Sequence, residues 1–137
     1  MSTALITGAS SGIGAEFARQ LAAKYQNLVL VARSEDRLIL MAEQLRQQHN
    51  IQTKVIVQDL TAPEASLSVH RKTKELGLSI DLLVNNAGFG DYGFFAEGQL
   101  GRQTPMIQLN ITALVELTHL FLPEMLERRQ GGVIAEL

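Results

Sequence analysis

Between Thr3 and Phe17 the chain reads Thr3-Ala4-Leu5-Ile6-Thr7-Gly8-Ala9-Ser10-Ser11-Gly12-Ile13-Gly14-Ala15-Glu16-Phe17, and no other stretch restricts the fold as tightly. The apolar, β-branched run from Ala4 to Thr7 predicts a buried strand, and Ile13, Phe17 and Leu21 recur at helical spacing after it. Between the two lies a glycine-rich turn. Gly8, Gly12 and Gly14 remove Cβ atoms where the backbone must turn sharply and approach a ligand, which leaves the amides of the first helical turn free for a phosphate. Ser10 and Ser11 add hydroxyl donors. A triphosphate-binding loop would close on Gly-Lys-Ser/Thr, whereas Gly14 is followed by Ala15. A turn of this composition also arises for structural reasons alone, and the rest of the chain bears on the choice.

The first helix is expected to run from Ile13 to near Tyr25. Leu28 to Ala32 then forms a second strand without polar alternation, as expected where helices cover both faces of a sheet. Ser34 can cap the next helix, with Glu35 and Asp36 at its positive end and Leu38, Met41, Ala42 and Leu45 on its buried face. A third strand is expected from Thr53 to Gln58. Thr61-Ala62-Pro63-Glu64 reads as a capping box before a helix whose apolar residues include Ala65, Val69 and Leu76. Strand four is expected from Ile80 to Asn85. A loop holding Gly88, Gly90, Gly93 and Gly98 leads to the longest helix, about Thr104 to Arg129, with Met106, Leu109, Ala113, Leu117 and Phe121 on one face and Pro123 as a kink. Gly131-Gly132 ends it, and Val133-Ile134-Ala135 starts a fifth strand. Alternating strands and helices with short connections predict a Rossmann-type α/β fold: a doubly wound parallel sheet of order 3-2-1-4-5 with helices on both faces. All 137 residues are expected to form one domain, and the crevice between strands one and four should hold the ligand.

Composition narrows the function. A net charge of −2 with scattered Lys and Arg offers no nucleic-acid surface and no polybasic membrane contact. The absence of cysteine removes disulfides, thiolate catalysis and cysteine-zinc sites, and His49, His70 and His119 lack metal-ligand spacing, so no metal is expected and each histidine should sit on a helix surface. The first strand follows Met1 closely, so no signal peptide is expected. No apolar run is expected to span a membrane, and a reducing cytoplasm is the expected compartment.

An acidic residue about twenty positions after the glycine motif would accept hydrogen bonds from the ribose of NAD, but Ala32-Arg33-Ser34 offers none. Arg33 instead points to NADP(H), since its guanidinium can pair with the 2′-phosphate; a charge-assisted bond of roughly 1.5–3 kcal/mol gives about a 10- to 100-fold preference. The competing reading is a solvated arginine at a strand end. The missing acid also argues against a methyltransferase.

With Thr7 in front and Ile13 inside, the spacing Gly-x-x-x-Gly-x-Gly resembles the Thr-Gly-x-x-x-Gly-Ile-Gly signature of the short-chain dehydrogenase/reductase family. Asn85-Asn86-Ala87-Gly88 resembles that family's Asn-Asn-Ala-Gly motif, and Leu109-Asn110 with Leu122-Pro123-Glu124-Met125 resembles the segment carrying the asparagine of its catalytic tetrad. The resemblance covers the whole chain. It implies that Asp59 and Leu60 contact the adenine, that Asn86, Ala87 and Gly88 lie along the cofactor's ribose, and that Gly8, Ser10, Ser11, Gly12, Ile13 and Gly14 hold its pyrophosphate. It makes Asn110 the candidate catalytic residue, whose main chain holds a proton-relay water.

Family members exchange hydride with a carbonyl or alcohol substrate using a serine, a tyrosine and a lysine four residues after that tyrosine. Here Tyr25 is followed at that distance by Val29 and Tyr92 by Ala96, and the serine would fall beyond Leu137. The expectation is therefore an NADP-dependent oxidoreductase truncated after strand five and inactive by itself; the alternative is a non-catalytic nucleotide- or partner-binding module. Glu136 is unexpected in an interior parallel strand, where an unpaired carboxylate is costly. An open edge at strand five invites self-association, so a homo-oligomer is expected.

Overall fold

The computed structural model describes residues 2–135; Glu136 lies outside them. Five strands form one parallel sheet: β1 (Thr3–Thr7), β2 (Asn27–Ala32), β3 (Gln52–Val57), β4 (Leu82–Asn85) and β5 (Gly132–Ala135). Their spatial order is β3-β2-β1-β4-β5, the order expected from the sequence. Four helices connect them: α1 (Gly12–Ala22), α2 (Glu35–His49), α3 (Ala65–Glu75) and α4 (Leu100–Arg128).

The alternation of a strand sends its side chains to two cores. Ala4, Ile6, Leu28 and Leu30 face α1 and α2, meeting Ala15, Ala18, Leu38 and Leu45. Leu5, Val29, Val31 and Leu83 face α3 and α4, meeting Val69, Leu117, Phe121 and Met125. β1 and β2 are therefore buried at every position, while the edge strand β3 is buried only at Thr53 and Ile56.

Several boundaries and faces differ from the sequence expectations. α1 ends at Ala22, and its buried face is the small-residue stripe Gly14, Ala15, Ala18 and Ala22; Ile13 is exposed, while Phe17 and Leu21 only flank the core. Small side chains win there because they let the helix axis approach the sheet closely. The capping box before α3 does not form. Glu64 is the residue preceding the helix and takes a left-handed conformation (φ 58°), while Thr61 is drawn away by Asp59. Leu76 lies past the helix end and is exposed, its expected place in the core being taken by Thr73.

α4 begins at Leu100 instead of Thr104, tolerates Pro123 without ending, and contains a π-helical turn at Gln108–Thr112. The expectation that no run reaches membrane-spanning length is also corrected: within Leu100–Arg128 an 18-residue stretch is long and apolar enough by composition. Periodicity hides this, because the sheet-facing residues Ala113, Leu117, Phe121 and Met125 are matched on the opposite face by Leu100, Ile107, Ile111, Val115, Leu122 and Leu126. In the fold that helix lies on the sheet.

His70 also departs from a plain surface position. It is half-buried between α3 and α4, edge-on to Phe121 at 5.0 Å, with Nε2 3.1 Å from Glu124 Oε1. Burial works to raise the Glu124 carboxyl, but hydrogen bonds from Lys74 and His70 outweigh it and leave the group below its ordinary value.

Candidate functional site

The strand order reverses between β1 and β4, and the two turns leaving their carboxyl ends are bound together by one hydroxyl. Thr7 Oγ1 donates to the Val84 carbonyl (3.4 Å) and accepts from the amides of Asn86 and Ala87 (both 3.0 Å). Asn86 Nδ2 donates back to the carbonyls of Thr7 (3.2 Å) and Gly8 (3.3 Å). Gly8 has φ +64°, and a Cβ there would lie 2.9 Å from Asn86 Nδ2 and 3.0 Å from Ala87 Cα. At Gly14 a Cβ would strike the Gly8 carbonyl, so this glycine serves helix-to-strand contact.

The other side of the crevice is held from α4. Asn110, inside the π turn, accepts from the Phe89 amide at Oδ1 (2.9 Å) and donates from Nδ2 to the Phe89 carbonyl (2.7 Å). A Cβ on Gly88 would lie 2.5 Å from Asn110 Oδ1, so the amide side chain reaches Phe89 only over a glycine. Asn85 Nδ2 donates to Thr118 Oγ1 (3.1 Å). Arg102 completes the hold on this loop: it pairs with Asp91 (3.2 Å), and its guanidinium lies 5.7 Å from the Phe89 ring centre.

A cavity of about 520 Å³ opens between these turns and the ends of β2 and β3. Gly8, Ser10, Ser11, Arg33, Asp59, Leu60, Ala87 and Gly88, all predicted from sequence, line it. Four others from that set lie behind the wall or beside it: Gly12 and Ile13 are exposed at the start of α1, and Gly14 and Asn86 support the turn. Asn110 is likewise behind the lining, acting on it through Phe89. Tyr92, Phe94 and Phe95 are almost fully exposed and line no part of the cavity.

The electrostatics are those of an anion site at both ends. Ser11 precedes α1 without a side-chain cap, the first turn carries no acid, and a Cβ at Gly12 (φ +56°) would meet open space. The first amides of α1 are thus left to a ligand. At the far end Arg33 is exposed and has no ion pair among the described residues. Asp59 Oδ1 accepts from the Thr61 hydroxyl (2.7 Å) and amide (2.9 Å), which together with the charge of Arg33 hold its carboxyl below the ordinary value. The chain matches the family model for short chain dehydrogenases over residues 2–135.

This chain belongs to the short-chain dehydrogenase family. The very-long-chain 3-oxoacyl-CoA reductase of Aspergillus clavatus is 36% identical to it over 135 residues, which are 97% of this chain and 39% of that one. Among solved structures, the bulky-bulky ketone specific alcohol dehydrogenase of Comamonas testosteroni superposes with a TM-score of 0.91 at 36% identity, over 98% of this chain and 53% of that one. A short-chain dehydrogenase of Sphingobium yanoikuyae in complex with NADPH superposes with 0.90 at 36% identity, over 97% and 52%. The chain therefore spans about half the length of these solved relatives, and less of the reductase.

Two contributors escaped the sequence reading. In sequence Thr7 reads only as the end of the first strand and part of a motif, yet it is the junction of both turns. Arg37 lines the cavity beside Arg33, and its signal was present in sequence: it stands four residues on, in the first turn of α2.

Proposed function

We propose that this chain forms the cofactor-holding part of an NADP-dependent oxidoreductase that moves hydride between NADPH and a carbonyl or alcohol. One observation carries the reading: a single cavity has free helix amides and serine hydroxyls at one end and an unpaired Arg33, with no acid at the end of β2, at the other. This donor set fits a pyrophosphate and a 2′-phosphate. NADPH, when bound, supplies the hydride. The chain binds and orients: α1 amides hold the pyrophosphate, Leu60 offers an apolar wall, Asp59 Oδ2 is left for the adenine amine, and Asn86 fixes the turn along which Ala87 and Gly88 meet the ribose.

Asn110 is a positioning residue in this account. It sets the Phe89 backbone against the cavity, and the π turn around it frees main-chain geometry of the kind found at functional sites. Within these 137 residues no tyrosine has a lysine four positions later, so the expected behaviour of the chain alone is binding without turnover. The exposed stripe Leu100, Ile107, Ile111, Val115, Leu122 and Leu126 supports self-association as part of the same reading.

Fluorescence titration tests it. NADPH should bind about 10- to 100-fold more tightly than NADH, Arg33→Ala should remove most of that gap, and a carbonyl panel should leave NADPH unoxidised. Equal affinities in folded protein would refute the NADP assignment, and turnover in contaminant-free protein would refute the expected inactivity.

A further inference from the structure

α4 holds the cavity wall at Phe89 in two separate ways. Asn110, from the π turn, bonds the amide and carbonyl of Phe89, which fixes where that residue stands but not how its ring lies. Arg102, from the first turn of the helix, acts on the ring and on the two residues after it. Its guanidinium lies over the Phe89 ring at 5.7 Å from the centre, inside the range of a cation–π contact. Its Nη2 is 3.5 Å from the Gly90 carbonyl, a weak contact, and its Nε is 3.2 Å from Asp91 Oδ1. One side chain outside the cavity thus touches three successive residues, the first of which lines it.

The segment beyond Phe89 has little else to order it. Every residue from Gly90 to Gly101 is exposed, and a Cβ at Gly90 or Gly93 would meet nothing within 4 Å. Among the described residues, the backbone of Tyr92 to Gly98 bonds only within itself, from the Glu97 amide to Phe94 and from the Gly98 amide to Phe95. Such a stretch has low local stability unless its two ends are joined. The Arg102–Asp91 pair joins them and lowers the entropy of the loop between. Its cost falls on the helix. Arg102 is the third residue of α4, where the dipole disfavours a cation, and the first turn of the helix carries no acid of its own. Asp91, from outside the helix, supplies the missing negative charge. An arginine that weakens its own helix start and is satisfied only by the loop marks a place where local consistency yields to function.

We propose that Arg102 is a positioning residue for the half of the dinucleotide that lies beyond the pyrophosphate from Arg33. By fixing the Phe89 ring and closing the loop after it, Arg102 forms the wall next to Ala87 and Gly88 before the cofactor arrives. The proposal rests on the dinucleotide reading above. Arg102 itself touches no cofactor, and the adenosine half, held at the Arg33, Asp59 and Leu60 end, should not sense its loss.

Calorimetry on the full chain with NADPH, NADH and 2′,5′-ADP tests this. Arg102→Ala should weaken both dinucleotides alike, by about 3- to 10-fold, and change 2′,5′-ADP by less than about 2-fold. Asp91→Ala should reproduce part of that loss, and Asp91→Ala/Arg102→Ala should be no worse than Arg102→Ala, because the two residues act as one unit. Arg102→Lys keeps the charge without the planar fork and should fall between parent and alanine. The pair is exposed, so in roughly 1 M salt, where the screening length falls to about 3 Å, the difference between parent and Asp91→Ala should shrink. Thermal midpoints should stay at the parent's value. Unchanged dinucleotide affinity in Arg102→Ala would overturn the proposal and leave the cofactor reading standing. An equal loss for all three probes would overturn it too, by showing a general structural role. Equal affinity of the unaltered chain for NADPH and NADH would refute the NADP assignment alone, whereas a folded chain that binds neither would overturn this proposal together with the reading it rests on.

Discussion

Replacing Thr7 with valine tests whether one buried hydroxyl holds the site together. Valine keeps the β-branched shape that suits a strand interior, so packing in β1 is preserved. What disappears is the acceptor for two amides, those of Asn86 and Ala87, and a longer bond to the Val84 carbonyl. An orphaned buried donor costs about 1–3 kcal/mol. Both amides are only partly buried, which places each at the lower end. The 3.4 Å bond to Val84 adds little, and the greater apolarity of valine in a site 1% exposed returns part of the loss. The expected destabilisation is about 2 kcal/mol, a sizeable share of the roughly 5–15 kcal/mol available to a domain of this size. Urea unfolding followed by circular dichroism should show a lowered midpoint at unchanged slope. Thr7→Ser keeps the acceptor and loses one methyl group, so it should cost only about 1 kcal/mol. A Thr7→Val loss below about 0.5 kcal/mol, or a greater loss in Thr7→Ser, would refute the junction role.

Gly12→Val should abolish nucleotide binding while the helical spectrum persists: its Cβ would project into open space where the pyrophosphate is expected, and valine strains a backbone at φ +56°. Unchanged affinity by calorimetry would make the loop merely structural. Asp59→Asn should be less stable than the parent at neutral pH. The Asp59 carboxyl is depressed on folding, so its contribution is present above its unfolded value and lost as pH falls through the folded one. The gap between the two proteins should therefore close below about pH 4, and a gap independent of pH from 7 to 3 would contradict the Thr61 and Arg33 interactions.

How far the sequence discloses this structure depends on whether a signal is local. Sheet order, both cores and the crevice follow from the alternation of buried strands with amphipathic helices, since parallel strands leave few topologies open. Of the eight predicted residues that line the cavity, Gly8, Ser10, Ser11 and Arg33 were legible from the glycine-rich turn and the end of β2, whereas Asp59, Leu60, Ala87 and Gly88 were legible only through the resemblance to family motifs. Misreadings arose where two local preferences competed and tertiary contact decided. Thr61 could cap α3 or close a turn on Asp59, and the carboxylate won. α1 could bury its large apolar residues or its small ones, and close approach to the sheet favoured Ala15, Ala18 and Ala22. The π turn at Gln108–Thr112 left no periodicity signal, because one wider turn shifts a face without erasing it. The hub role of Thr7 depends on residues nearly eighty positions away, beyond any window.

The central claim is that the crevice where strand order reverses is the NADP site. Amide-resolved NMR during titration with NADP⁺ tests it most directly. The account predicts shifts at Ser10 to Gly14, Arg33, Leu60 and Ala87 to Phe89, with none at Ser2, Lys24, Asp81 and Gln130 around the opposite end of the sheet. Shifts confined to that opposite end, or a spectrum unmoved at saturating nucleotide, would contradict it.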